Sequence, residues 1–216
     1  MSRILAFCMT NRLSPLVLEA LAQQTGPDFD LMISRDNPCD GLARGQYRNM
    51  MLNWQKMEKL VREFAYDKVW LAEADTIPPL DALSKLLEVD APVVVGLYAS
   101  RHAPFRSSVW SRPDVQIEWS TIQEHWGEAV EIGGSGTGCS LIDRSVFDRY
   151  TIDMEGFRNP NVDNRRQQID QMFSHWCFEN KVKQVARLDV ICGHVCANGE
   201  IVWPDRESGY RIQNSN

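Results

Sequence analysis

The chain has 216 residues, 44% hydrophobic and 24% charged, which excludes a disordered or collagen-like polymer and predicts one globular domain around a single core. Lysine and arginine total 23 against 29 acids, a formal charge of -6, so a broad cationic binding face is excluded and a nucleic-acid partner is disfavoured. The apolar run over residues 4–9 is too short for a signal-peptide core or a membrane span, and the six cysteines are scattered among apolar neighbours, so the expectation is a cytoplasmic protein with buried thiols and no disulfide framework.

Residues 4–9 are continuously apolar, as in a strand buried on both faces, and a helical spacing follows at Leu13, Leu16, Val17, Ala20 and Leu21. Gly26-Pro27 breaks the chain before a second strand over residues 29–34, and Asp36-Asn37-Pro38 with Asp40-Gly41 reads as the loop at its carboxyl end. Across residues 46–65, Tyr47, Met50, Met51, Trp54, Met57, Leu60, Val61 and Phe64 recur at steps of three and four, which predicts a long amphipathic helix. Residues 68–72 predict a third buried strand. Leu80, Leu83, Leu86 and Leu87 then predict a short helix, and residues 93–98 a fourth strand. Strands separated by helices in this order predict an α/β domain with a mostly parallel central sheet and ligands at the strands' carboxyl ends. Residues 1–98 thus have a nucleotide-binding type of layout.

Residues 101–126 are polar, carry Trp110, Trp119 and Trp126, and show no sustained helical period, which predicts loops and short antiparallel strands. Residues 130–132, the glycine cluster over 133–138 and residues 139–142 predict strand, tight loop and strand, with a short helix over 145–150. Residues 158–166 read as a polar loop. Ile169, Met172, Phe173, Trp176 and Cys177 predict a second amphipathic helix, followed by a turn near Asn180 and a strand around residues 190–196. Residues 205–216 read as a loosely held tail.

Glu73 and Asp75, two positions apart at the end of a buried strand, project to the same side of the sheet. Such a pair suits Mg²⁺ or Mn²⁺, which commonly keep waters and take diphosphate oxygens as further ligands; a solvated strand-end turn or a helix cap is the plainer alternative. Asp170, at the start of the second amphipathic helix, is a candidate general base or a helix acid favoured by the macrodipole, with Asp163 its nearest competitor. Cys192, His194 and Cys196 alternate as zinc ligands on one strand face would, short of a fourth ligand. The glycine cluster is not G-x-G-x-x-G and no G-x-x-x-x-G-K-[ST] occurs, which favours a tight loop near substrate over dinucleotide or P-loop binding. The tryptophans offer stacking faces for sugar rings or bases, or core packing.

Asp67-Lys68-Val69-Trp70-Leu71-Ala72-Glu73-Ala74-Asp75-Thr76-Ile77-Pro78-Pro79 resembles the strand and Asp-x-Asp motif of GT-A glycosyltransferases, with Glu at the first acid. Leu83, Leu86, Leu87 and Val93-Val94-Val95-Gly96-Leu97-Tyr98 are similar to the following helix and strand of small family-2-like members, the stand-alone bacterial and phage type. Arg44, Arg48 and Asn49 resemble the Arg and Asn residues that precede the acidic motif in such proteins. Gly136-Thr137-Gly138-Cys139-Ser140-Leu141-Ile142 with Val146-Phe147 resembles their glycine loop, strand and helix entry, and the stretch from Asp170 to Trp176 with Gly193-His194 their acid-bearing helix and late histidine. The likeness covers most of residues 3–195.

The resemblance implies a single GT-A-like domain, the fold of nucleotide-diphospho-sugar transferases, with residues 99–204 as the acceptor-side half. It implies Asp75 as direct ligand of Mn²⁺ or Mg²⁺, His194 completing the shell, and Glu73 at the metal, its bound water or the donor ribose. Asp170 becomes the general base. Thr10, Asn11, Asp36, Arg44 and Arg48 fall to donor binding, and Gly136, Thr137, Gly138 and Trp110 to the acceptor side. The activity implied is metal-dependent hexosyl transfer from a nucleoside diphosphate sugar, a UDP-sugar first, to a hydroxyl of a glycan, small molecule, protein or modified DNA base, with inversion expected ahead of retention. A nucleotidyltransferase of related fold is one alternative, although Met9-Thr10-Asn11-Arg12-Leu13 lacks its glycine-rich loop. A noncatalytic nucleotide- or carbohydrate-binding module is the other.

Overall fold

Six consecutive apolar side chains are all buried only if both faces of their strand are covered, and β1 (Ile4–Met9) is buried at every position. The structure is a computed structural model that describes residues 2–10, 14–41, 45–113, 115–152 and 168–214. After β1 come α1 (Pro15–Ala22), β2 (Asp30–Ser34), α2 (Gly45–Glu63), β3 (Lys68–Ala72), β4 (Thr76–Ile77), α3 (Ala82–Leu87) and β5 (Val93–Leu97). The second half adds β6 (Val109–Arg112), β7 (Val115–Gln116), α4 (Trp119–Glu124), β8 (Ala129–Ile132), β9 (Gly134–Ser135), β10 (Cys139–Asp143) and α5 (Arg144–Phe147). It closes with α6 (Ile169–Glu179), β11 (Gln184–Ile191), β12 (Gly193–Val195), β13 (Glu200–Asp205) and β14 (Gly209–Asn214).

Seven strands form the central sheet in the order β2-β1-β3-β10-β5-β11-β8. β2, β1, β3, β5 and β11 share one direction, while β10 and β8 run against them. The sheet is therefore mixed, five of its seven strands sharing one direction as expected and two reversed; β10, from the second half of the chain, lies between β3 and β5 of the first. Two smaller sheets flank it, β14-β13-β12-β4 and β7-β6-β9. The chain forms a single mixed α/β domain with six helices among the described residues.

Each face of the central sheet has its own apolar layer. On one, α2 sets Met51, Trp54, Met57 and Val61 against the sheet and against Phe147 and Phe173 of α5 and α6, with Trp54 fully buried. On the other, Val17 and Leu21 of α1 and Leu83 and Leu86 of α3 cover Ala6, Cys8, Trp70 and Val94. α1 begins on Pro15, whose fixed φ and missing N–H suit a first helical turn. All six cysteines are free thiols, four of them buried. No described helix is long and apolar enough to cross a membrane.

Several expectations are corrected. α4 lies where no helical period is visible because it is six residues long and buries only Ile122. β11 starts at Gln184, well before the expected residue 190, its apolar pattern being interrupted by Arg187 and Asp189, which pair with one another partly buried. Instead of a loose tail, β14 pairs with β13 through Asn214. Its side chains after Gly209 are largely exposed, so backbone pairing rather than apolar alternation holds it, and no pattern marks it. The polar loop expected over residues 158–166 lies outside the described residues.

Candidate functional site

The carboxyl ends of β1, β3 and β5 open on one cleft of about 680 Å³, walled also by the first turns of α2 and α6 and by His194 of β12. The reversed strand explains part of its floor. Because β10 is antiparallel to β3 with Cys139 opposite Ala72, the glycine loop that precedes β10 arrives beside the acids that follow β3. Glu73 N donates to Gly138 O at 2.9 Å, and Thr137 Oγ1 donates to Glu73 Oε1 at 2.8 Å.

The glycines in that loop serve a ring. A Cβ on Gly136 would stand 1.9 Å from the Tyr98 hydroxyl, and one on Gly138 would stand 2.7 Å from Thr76 Oγ1. Tyr98 follows β5, and its hydroxyl accepts from Gly138 N at 3.1 Å. Burial, and then the charges of Glu73 and Asp170, push its phenol well above the ordinary value.

β12 is laid antiparallel along β4 with His194 opposite Thr76, and Val195 N donates to Asp75 O at 2.7 Å. This brings His194 against the acidic turn from far along the chain. Its Nδ1 lies 2.6 Å from Ala99 O, and a carbonyl only accepts, so Nδ1 carries the proton. Nε2 is thereby turned to Asp75, 3.7 Å from Oδ1. The guanidinium of Arg101 engages the other oxygen, Oδ2.

These contacts drive the two neighbouring acids apart. Burial alone would raise Asp75, but the His194 imidazole and the Arg101 guanidinium outweigh it and hold the carboxyl below its ordinary value. Glu73 is pushed up to about 7 by burial, then by the negative charge of Asp75, against the Thr137 hydroxyl bond. Asp170, in the first turn of α6, is pushed up to about 6 by burial, although its Oδ1 accepts from Gln171 N at 2.8 Å. One carboxylate that stays charged beside two that titrate nearer neutrality suits a site that holds a cation and moves a proton.

Asp75 and His194 Nε2 face one another with Glu73 on the same cleft, donor types that suit a hard divalent cation once Nε2 has given up any proton, and the imidazole is oriented by the carbonyl on its other nitrogen. Among the described residues no group of three or more His, Cys, Asp and Glu side chains is placed to hold a metal ion by itself, so a cation on Asp75 would take most of its ligands from water or substrate, as Mg²⁺ does. The alternating cysteines do not join His194 in a zinc site. Cys192 lies against Val190 O and the Cys139 thiol, while Cys196 Sγ donates to Arg101 O at 3.5 Å.

Of the residues singled out in the sequence, the cleft brings together Thr10, Glu73, Asp75, Trp110, Gly136, Asp170 and His194. Thr137 and Gly138 stand behind Glu73 as its supports instead of lining an acceptor face. Asp36 is exposed and pairs with Lys56 at 2.6 Å, and Arg48 is exposed on α2; neither lines the cleft. Asn11, Arg44 and Asp163 lie outside the described residues. Trp119 donates from Nε1 to Phe105 O at 2.9 Å, and Trp126 packs on the core. Sequence reasoning missed Tyr98 and Arg101 as cleft residues; the position of Tyr98 at a strand's carboxyl end was the available signal for it.

No family model matches the chain, and no curated protein does. Among solved structures it is similar to the protein A197 from STIV, with a TM-score of 0.64 and 17% identity over 99% of this chain and 95% of that one. The likeness runs through the whole domain and establishes a shared fold.

Proposed function

We propose that the cleft is that of a metal-dependent glycosyltransferase of the GT-A type, moving a sugar from a nucleoside diphosphate donor, a UDP-sugar first, to a hydroxyl acceptor. The observation that carries this reading is the face-to-face placement of Asp75 and His194 Nε2 beside Glu73 at the end of β3, with Asp170 on the same cleft. Asp75, His194 and Glu73 would hold Mn²⁺ or Mg²⁺, which when bound offsets the charge that develops on a departing diphosphate. Asp170 takes the proton of the acceptor hydroxyl as that oxygen attacks the anomeric carbon, and a carboxyl pushed up to about 6 is well matched to that step near neutral pH. A single displacement of this kind inverts the anomeric centre.

The test is calorimetric titration with UDP and a panel of nucleotide-sugars, in Mn²⁺ or in chelator, alongside Asp75→Ala. Metal-dependent binding of one donor, lost in the variant, is the expected result. A folded protein that binds none of them under any condition overturns the reading in favour of a noncatalytic module for another ligand.

A further inference from the structure

We propose that Arg101 occupies the cation's place on Asp75 while the site is unloaded and turns to the donor's diphosphate once a divalent cation takes that carboxylate. The inference rests on the metal-dependent transferase reading above.

Both oxygens of Asp75 are engaged from within the chain, Oδ2 by the Arg101 guanidinium and Oδ1 by the approach of His194 Nε2 at 3.7 Å. A cation seated on Asp75 therefore meets a positive charge already there. The main chain around Arg101 is pinned: Ala99 O accepts from His194, Arg101 O accepts from Cys196 Sγ, and Ser100 N donates to Arg106 O at 2.7 Å. Its side chain is by contrast 47% exposed, so the guanidinium is free to swing on a fixed base.

A doubly charged ion and a guanidinium repel one another on one carboxylate, which forces the swing. The displaced group stays on the cleft wall, where its planar fork of donors matches phosphate oxygens. Cation alone must then displace Arg101 without giving it a new partner, whereas cation with diphosphate supplies one. The two ligands bind with positive coupling, and the coupling is reciprocal.

The test reads binding rather than turnover. Free Mn²⁺ is followed by paramagnetic resonance and UDP by calorimetry, in the wild type, Arg101→Gln, Arg101→Lys and Asp75→Asn, each first shown to be folded by its thermal transition. Arg101→Gln is expected to bind Mn²⁺ alone about tenfold more tightly and UDP at saturating Mn²⁺ about tenfold more weakly. Arg101→Lys, which keeps the charge and loses the fork, is expected to stay near the wild type for Mn²⁺ and to lose part of the UDP affinity. If Arg101→Gln leaves the Mn²⁺ affinity unchanged while Asp75→Asn abolishes it, the metal site stands and the role of Arg101 is overturned. If none of the folded proteins binds Mn²⁺, the transferase reading and this inference fall together.

Discussion

Asp170 and Glu73 are both raised, yet they make opposite demands. As the base of the proposed transfer, Asp170 must be ionised, so the rate is expected to rise with pH through about 6 and level off above it. Asp170→Asn should lower kcat by roughly 10²–10⁴-fold with donor affinity little changed, as steady-state kinetics and calorimetry would show. Glu73 bears on stability. Its folded value of about 7 lies above the ordinary 4.5, so the folded state holds the proton more tightly than the unfolded chain between those values. Stability then falls as pH rises across that window, by at most about 3 kcal/mol. Glu73→Gln should remove this slope, making the variant the more stable protein near pH 8 and leaving the two alike near pH 4.5. Denaturant titrations at the two pH values, without added metal, measure it. Asp75 has the opposite sign, its contribution being present above the ordinary value and lost as pH falls through the lower folded one.

At the scale of elements, residue patterns located supports better than they located partners. α2 was readable because Met51, Trp54, Met57 and Val61 fall on one stripe, and the stripe is buried. Trp54→Ala should cost about 3–5 kcal/mol in a denaturant titration, since the indole is packed against Phe147, Tyr150 and Phe173 and its Nε1 donates to the buried Glu58 at 2.8 Å. The acids after β3 were readable because an apolar strand stops abruptly at them. Asp36 was misplaced for a physical reason: a loop acid turns toward whichever cation lies nearest, and here that is Lys56, two helical turns past Arg48. The glycine loop was found but its purpose was not, because the Tyr98 ring that fills it comes from another strand. Gly136→Ala should displace that ring and destabilise the domain by about 1–3 kcal/mol, a loss visible in thermal unfolding.

At the scale of the whole molecule, the order of strands along the chain was readable and their order in the sheet was not. Apolar runs announce β1, β3, β5 and β10 but carry no mark of which neighbour each accepts, and β10 takes the slot between β3 and β5. His194 entered through likeness to a family motif; the pairing that seats it, β12 on β4, involves strands too short to show any alternation. β13 covers the other edge of β12, and β14 covers β13. Truncation after residue 199 should therefore loosen His194 and weaken Mn²⁺ binding even in a chain that keeps its central sheet, a comparison that the resonance titration makes directly.

The insertion of β10 also sets an order of assembly. A ribosome that has released residues 1–98 has supplied β1, β2, β3 and β5, yet β3 and β5 are not hydrogen-bonded to one another in the finished sheet. Until residue 143 is available, each presents a bare edge of unpaired backbone groups, separated by a gap one strand wide. The nascent first half is thus exposed to intermolecular strand pairing during synthesis, and a fragment ending at residue 98 should sediment as aggregate. Glu73 and Asp75 are made early, but the Thr137 hydroxyl, Asp170 and the His194 imidazole that complete the cleft around them are made later, so the finished site arises as a late event of folding.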